Sequence, residues 1–245
     1  MIRSGYAVTE PSDSYILLRM LYAAFVFFIL LRIGLNALIL NQFINYTTIE
    51  GSTIEKIRPS FYGIGLMALA ILFNYRIVLS AQDLGILRAM IVFLAGICGL
   101  LLMLSISGQS TSSGYILDTY IVACMAAFVM MTLPLQWRSN LGELILLFLI
   151  LSAIVGIGEF ALRTRLLPYA AGEDVFRPTG LSDHPLQLGQ WCAVGICFMS
   201  VARWKPLFKL MGVVILFVGA LASGARIAGV AACVSCVLFL MLEPI

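Results

Sequence analysis

The sequence is partitioned into apolar runs of about 20 residues, and this property narrows the fold more than any other. The run LGELILLFLILSAIVGIGEFAL at 141–162 is typical, with Glu143 and Glu159 as its only charges. A helix rising 1.5 Å per residue crosses a hydrocarbon core of about 30 Å in roughly 20 residues. Composition agrees: 62% of the residues are hydrophobic and 11% charged, where soluble domains carry about 45–50% and 25%. The expected fold class is therefore all-α, a polytopic integral membrane protein forming a single helical membrane domain over 1–245. The polar start MIRSGYAVTEPSDS precedes an apolar run far longer than a signal-peptide core, so that run is expected to be a retained span. The net charge of +3, with basic residues scattered singly at span ends, points away from nucleic acid and toward the lipid bilayer as the main partner.

Eight transmembrane helices are expected: Tyr15–Leu40, Ser60–Ser80, Ala89–Ile106, Tyr115–Leu135, Leu141–Leu162, Leu186–Ala202, Leu207–Leu221 and Arg226–Leu242. Breaker chemistry separates them: GQSTSSG at 108–114, Pro134 followed by QWRSN, WKP at 204–206 and SGA at 223–225. Short cytoplasmic loops favour Lys and Arg. A cytoplasmic N-terminus over 1–14 places eight inside (Arg3, Arg19, Arg76, Arg88, Arg138, Arg203, Lys205, Lys209) against six outside (Lys56, Arg58, Arg163, Arg165, Arg177, Arg226). Arg32 falls within the first span, and the 107–114 connection carries no charge.

The outward connection at 163–185 breaks that bias, because it carries Arg163, Arg165 and Arg177, while Arg226 opens the neighbouring outward hairpin. Arg163 and Arg165 read either as side chains snorkelling to headgroups or as part of an anion-binding surface. Arg226 lies inside the almost unbroken apolar stretch FKLMGVVILFVGALASGARIAGVAACVSCVLFLML. An ionisable residue in such a place is a functional-site hypothesis by default; the alternative is an ion pair with Glu159 or Asp183. In FRPTGLSDHP, at 176–185, Pro178 and Gly180 shape a turn and Pro185 suits a first helical position, with Ser182 or Asp183 as its cap. Arg177 then sits beside a helix N-terminus, whose free N–H groups and dipole favour anions, and its planar fork suits bidentate contact with phosphate. His184, the only histidine, is either a general base or a helix-end hydrogen-bonding group. Glu159 is expected to pair with Arg163 one turn on.

Several chemistries have no motif here. The sequence offers no DxD pattern, no GxxxxGK[ST] loop, no His/Cys cluster and no nucleophile elbow. Neither a metal nor a cofactor is expected. Cys233-x-x-Cys236 has no second pair, and small-residue packing within a helix accounts for it.

RPTGLSDHPLQLGQ resembles the R-x-x-G-x-x-x-H/N-P stretch of bacterial O-antigen ligases and Wzy-type O-antigen (exopolysaccharide) polymerases, and ALASGARIAGVAA at 220–232 resembles the S-x-R-x-A helix start of their shared domain. The resemblance implies a metal-independent glycosyltransferase of the bacterial inner membrane that takes a glycan from a polyprenyl diphosphate carrier on the periplasmic face. The acceptor would be a hydroxyl of another glycan or of lipid A–core. By motif position Arg177 and Arg226 bind the diphosphate leaving group, and 223–242 begins the family's core domain. Family members are longer and carry their catalytic histidine in a later periplasmic loop, so the resemblance implies a chain lacking that C-terminal part. Two rival functions remain: a transporter or exporter of an anionic solute, and a non-catalytic subunit that holds the carrier.

Overall fold

A computed structural model describes residues 12–44, 46, 52–74, 80–108, 110–167 and 176–242. Ten α-helices follow one another among them: α1 (Ser12–Gly34), α2 (Ala37–Leu40), α3 (Pro59–Asn74), α4 (Ala81–Ile106), α5 (Ser110–Ile116), α6 (Val122–Thr132), α7 (Leu135–Leu162), α8 (Pro185–Met199), α9 (Pro206–Ala222) and α10 (Arg226–Leu242). A π-helical turn, Leu117–Ile121, joins α5 to α6. The all-α class is as expected. The expected N-terminal segment 1–14 lies outside the described residues up to Pro11, as do Arg76 and positions 168–175 of the connection at 163–185.

Among the described residues four helical segments, not eight, are long and apolar enough to cross a membrane: Ile16–Gly34, Ala81–Ile106, Ser113–Thr132 and Leu135–Leu162. Helices α3, α8, α9 and α10 have 16, 15, 17 and 17 residues. At 1.5 Å per residue they reach about 22–26 Å, short of a hydrocarbon core. Hydropathy overstated the spans because it also counts apolar residues outside helices. The expected first span ran to Leu40, yet α1 stops at Gly34 and the chain turns through Leu35 and Asn36 before α2. The GQSTSSG separator is not a plain loop either, since its second half is already helix α5.

Two apolar cores hold the helices together. Phe25 of α1, Ile64, Met67 and Ile71 of α3, Val122 and Val129 of α6, and Leu141 of α7 form one. Leu146, Leu149 and Ala153 of α7, Leu188, Cys192 and Ile196 of α8, Leu216 of α9, and Ala232 and Phe239 of α10 form the other. Ile145 packs against both. Small residues allow close helix approach in the second core: a Cβ on Gly189 of α8 would lie 2.5 Å from the Cβ of Ala228. The exterior is equally apolar. Phe73 is 80% exposed and Ile106 79%, and α4 buries only Ile97. A water-facing surface rarely carries so much continuous apolar area; with the apolar helices, it marks a membrane-embedded protein.

The polar groups sort to two ends. At one end Tyr46, Arg58, Tyr115, Asp118 and Asp183 bond one another, and Asn36 donates to the Ser182 carbonyl. At the other, Arg138 meets Asp83 at 3.2 Å, Arg203 meets Glu143 at 3.0 Å, and Lys209 donates to the Ser200 carbonyl. These are the two groups of connections that the Lys/Arg count had assigned to opposite faces.

Candidate functional site

The stretch 176–184 has no regular structure of its own and is held from below by α7. Glu159, buried near the end of α7, accepts hydrogen bonds at 2.8 Å from the backbone N–H groups of Thr179, Gly180 and Leu166. The expected Glu159–Arg163 pair does not form. Backbone donors that leave water need an acceptor, and the carboxylate answers three of them at once. Ser152, one helix turn pair below, accepts from the N–H of Leu181 at 3.1 Å. Gly180 makes this approach feasible: its φ is 57°, and a Cβ there would stand 2.5 Å from the Ser152 carbonyl oxygen.

The expected caps of α8 are also reassigned. Pro185 does occupy the first turn, but the N-cap is His184, whose Nδ1 accepts the N–H of Leu186 at 3.1 Å. Ser182 instead donates its hydroxyl to the Thr179 carbonyl at 2.7 Å. Asp183 faces the N-terminal helices: one carboxylate oxygen accepts from Ala37 N–H, the other from Arg58 at 3.0 Å. Asn36 adds a bond from its side-chain amide to the Ser182 carbonyl at 2.9 Å.

Arg58 continues this contact inward. Its other guanidinium nitrogens donate to the Tyr46 hydroxyl at 3.2 Å and the Arg32 carbonyl at 3.0 Å, and its backbone N–H donates to Asp118 at 3.1 Å. Asp118, on the π-helical turn and 2% exposed, also accepts from Arg32 at 3.0 Å and from the Tyr46 hydroxyl at 3.2 Å. Two arginines thus balance two aspartates in a largely buried cluster. Burial pushes the Tyr46 phenol above its ordinary value, with the pull of Arg58 working against it and Asp118 adding to the rise.

The arginines picked out in the sequence line the same end. Arg165 donates twice to the Arg177 carbonyl, at 3.1 and 2.9 Å, and its guanidinium lies 5.2 Å from the centre of the Phe176 ring. Arg163 ends α7 in the left-handed conformation, with φ 55°, and stacks on Phe160 at 4.8 Å. Arg177 is exposed and runs along Gly224: a Cβ on that glycine would sit 3.7 Å from Cγ and 3.9 Å from Nε. Gly224, at φ 66°, makes the tight turn before Arg226, the exposed first residue of α10. The two motifs, far apart in sequence, therefore meet at one rim. Among the described residues neither Arg177 nor Arg226 has a carboxylate within ion-pair distance, so the alternative pairing of Arg226 with Glu159 or Asp183 does not form; both acids are engaged as above.

Comparison with known protein families, curated proteins and solved structures finds no match. The rim is therefore read from its own chemistry. It presents two exposed guanidinium groups with no acidic partner among the described residues, and a third, Arg165, bonded to the backbone that carries one of them. Such a surface favours a multiply charged anion, for which guanidinium offers paired donors. His184 is exposed beside it. With Nδ1 accepting from the helix, its neutral ring carries the proton on Nε2 and has no second acceptor. The cysteines take no part: Cys236 packs against the second core, Cys233 faces outward rather than packing inside, and Cys197 Sγ contacts Ser235 Oγ at 3.1 Å. The residues that sequence reading missed are Asp118, as an internal charge, and Arg58, as its partner. The signal was present, since Asp118 is a lone acid in an apolar run.

Proposed function

We propose that this protein handles a lipid-linked diphosphate glycan at the periplasmic face of a bacterial inner membrane, as a glycosyltransferase of the O-antigen ligase/polymerase type. One observation carries the reading: Arg177 and Arg226, each from its own motif, stand exposed at a shared rim with no acidic partner among the described residues. In the proposed reaction an acceptor hydroxyl attacks the anomeric carbon. The bond from that carbon to the carrier's phosphate oxygen breaks, and the diphosphate departs with the electron pair. Arg177 and Arg226 stabilise the charge that develops on it, a kind of stabilisation worth about 3–4 kcal/mol per well-placed donor. Arg165 holds the Arg177 backbone, and Arg163 extends the basic rim toward the headgroups.

A second reading has its own support. The acceptor's proton needs a base, yet among the described residues of the rim His184 Nδ1 accepts a helix N–H, Glu159 accepts three backbone N–H groups, and Asp183 is paired with Arg58. That arrangement suits a subunit that binds the carrier without transferring its glycan. Replacing Arg177 or Arg226 with Ala tests both readings in cells and in purified protein. Loss of surface-glycan attachment or elongation at unchanged protein level is expected. Loss of carrier binding with no transfer by the purified parent protein favours the binding subunit, and unchanged glycan profiles sink the site.

A further inference from the structure

We infer that Arg58 is the positioning residue of the arginine rim, linking the 176–184 loop to the N-terminal helices through Asp183. The loop is fixed on two sides. From α7 it takes the Glu159 and Ser152 contacts, which hold Thr179, Gly180 and Leu181. From the N-terminal half it takes three bonds that converge on Ser182 and Asp183: Asn36 to the Ser182 carbonyl at 2.9 Å, Ala37 N–H to Asp183, and Arg58 to Asp183 at 3.0 Å. Only the last is an ion pair. Arg58 is in turn fixed, because its remaining donors meet Tyr46 and the Arg32 carbonyl, and its own N–H meets Asp118. Asp118 is held by Arg32 at 3.0 Å. A rigid, planar guanidinium with three bonded nitrogens transmits this placement in a way that a flexible ammonium does not.

The consequence reaches the rim through the chain itself. Asp183 lies six positions after Arg177 and immediately before the His184 cap, so freeing it loosens the C-terminal end of the short stretch that displays Arg177. What is positioned is the proposed anion site, so the functional half of this inference rests on that reading; the placement of the loop does not.

Hydrogen–deuterium exchange on the full chain in lipid nanodiscs tests it. In Arg58→Gln the amides of Thr179–Ser182 are expected to exchange about tenfold faster or more, while those of α9 and α10 keep the parent rate. Asp183→Asn should act alike, and the double variant should be no faster than the worse single, because the two changes remove one shared contact. Unchanged loop exchange overturns the inference. So does equal acceleration of α10, which would mean general loosening, or a double effect equal to the product of the singles. Binding of a polyprenyl diphosphate in the same nanodiscs should weaken about tenfold in Arg58→Gln, in step with the exchange; full affinity with a loosened loop also overturns it. Should Arg177→Ala itself leave that affinity unchanged, the proposed anion site fails, and the exchange result still decides whether Arg58 places the loop.

Discussion

Glu159→Gln separates the observed role of this carboxylate from the ion pair expected from its spacing to Arg163. Oε2 accepts from Thr179 and Gly180, and Oε1 from Leu166, all at 2.8 Å. A glutamine keeps one carbonyl oxygen, which can stay with Thr179 and Gly180, but it turns an NH2 group toward the N–H of Leu166. Bonds to a charged acceptor are about twice as strong as neutral ones, so the two retained bonds lose about 1 kcal/mol each. Leu166 is exposed, so water can take up its N–H, and that loss falls at the low end, about 1 kcal/mol. The total is about 3 kcal/mol. For a chain of this size roughly 2–4 °C of melting temperature accompanies each kcal/mol, giving a drop of roughly 10 °C in a thermal scan of detergent-purified protein. Arg163→Ala is the control. Its stacking on Phe160 at 4.8 Å is exposed and worth about 0.5–1 kcal/mol, so its melting temperature should fall by only roughly 2–3 °C. Equal losses in the two variants, or no loss in Glu159→Gln, would refute the assignment of Glu159 to the loop backbone.

Three further outcomes follow from the geometry. Gly189→Ala places a methyl 2.5 Å from the Ala228 Cβ and 2.7 Å from Ser223 Oγ, so α8 must move off the turn before α10; a loss of about 1–3 kcal/mol is expected in the same thermal scan. The raised phenol of Tyr46 predicts a stability insensitive to this group below pH 10 and falling above it, because the unfolded tyrosine ionises first while the folded one stays protonated; alkaline unfolding of Tyr46→Phe should lack that component. His184 is exposed whereas Ser182 is 1% exposed, so a cysteine at 184 should react with a membrane-impermeant maleimide added from the periplasmic side, and labelling only from the cytoplasm would reverse the proposed orientation.

What the sequence made legible, and what it hid, follows from how far each signal reaches along the chain. Apolar runs are local and abundant, so the helical class was plain. Helix ends were legible where a proline or a left-handed glycine forces them, as at Pro185, Pro206 and Gly224. They were not legible at Gly34, because the turn through Asn36 is held by Ser182 and Asp183, far along the chain. Glu159 failed for the same reason: its nearest cation is one turn away, but its true donors are backbone groups as many as 21 positions distant. The rule that singled out Arg226, that a charge in an apolar run needs a reason, applied equally to Asp118 and leads to Arg58 once followed.

That correction bears on the charge count behind the site. Six basic residues are expected on the outer face against eight inside, and those at 163–185 and 226 run against the insertion bias in a way that invites an anionic ligand. Lys56 and Arg58 are in fact drawn into the fold, Lys56 at 1% exposure and Arg58 paired with Asp183 and Asp118. Arg163 and Arg165 have ring partners in Phe160 and Phe176, and Arg165 also grips a backbone carbonyl. Once these internal neutralisations and contacts are subtracted, Arg177 and Arg226 are the outer cations left without a charged or aromatic partner among the described residues. Two exposed guanidinium groups with no carboxylate among the described residues to pair with are not required by the turns that carry them, since an uncharged residue would serve those turns as well. The electrostatic remainder thus falls on the same two residues that the motifs selected, by an argument that does not use the motifs.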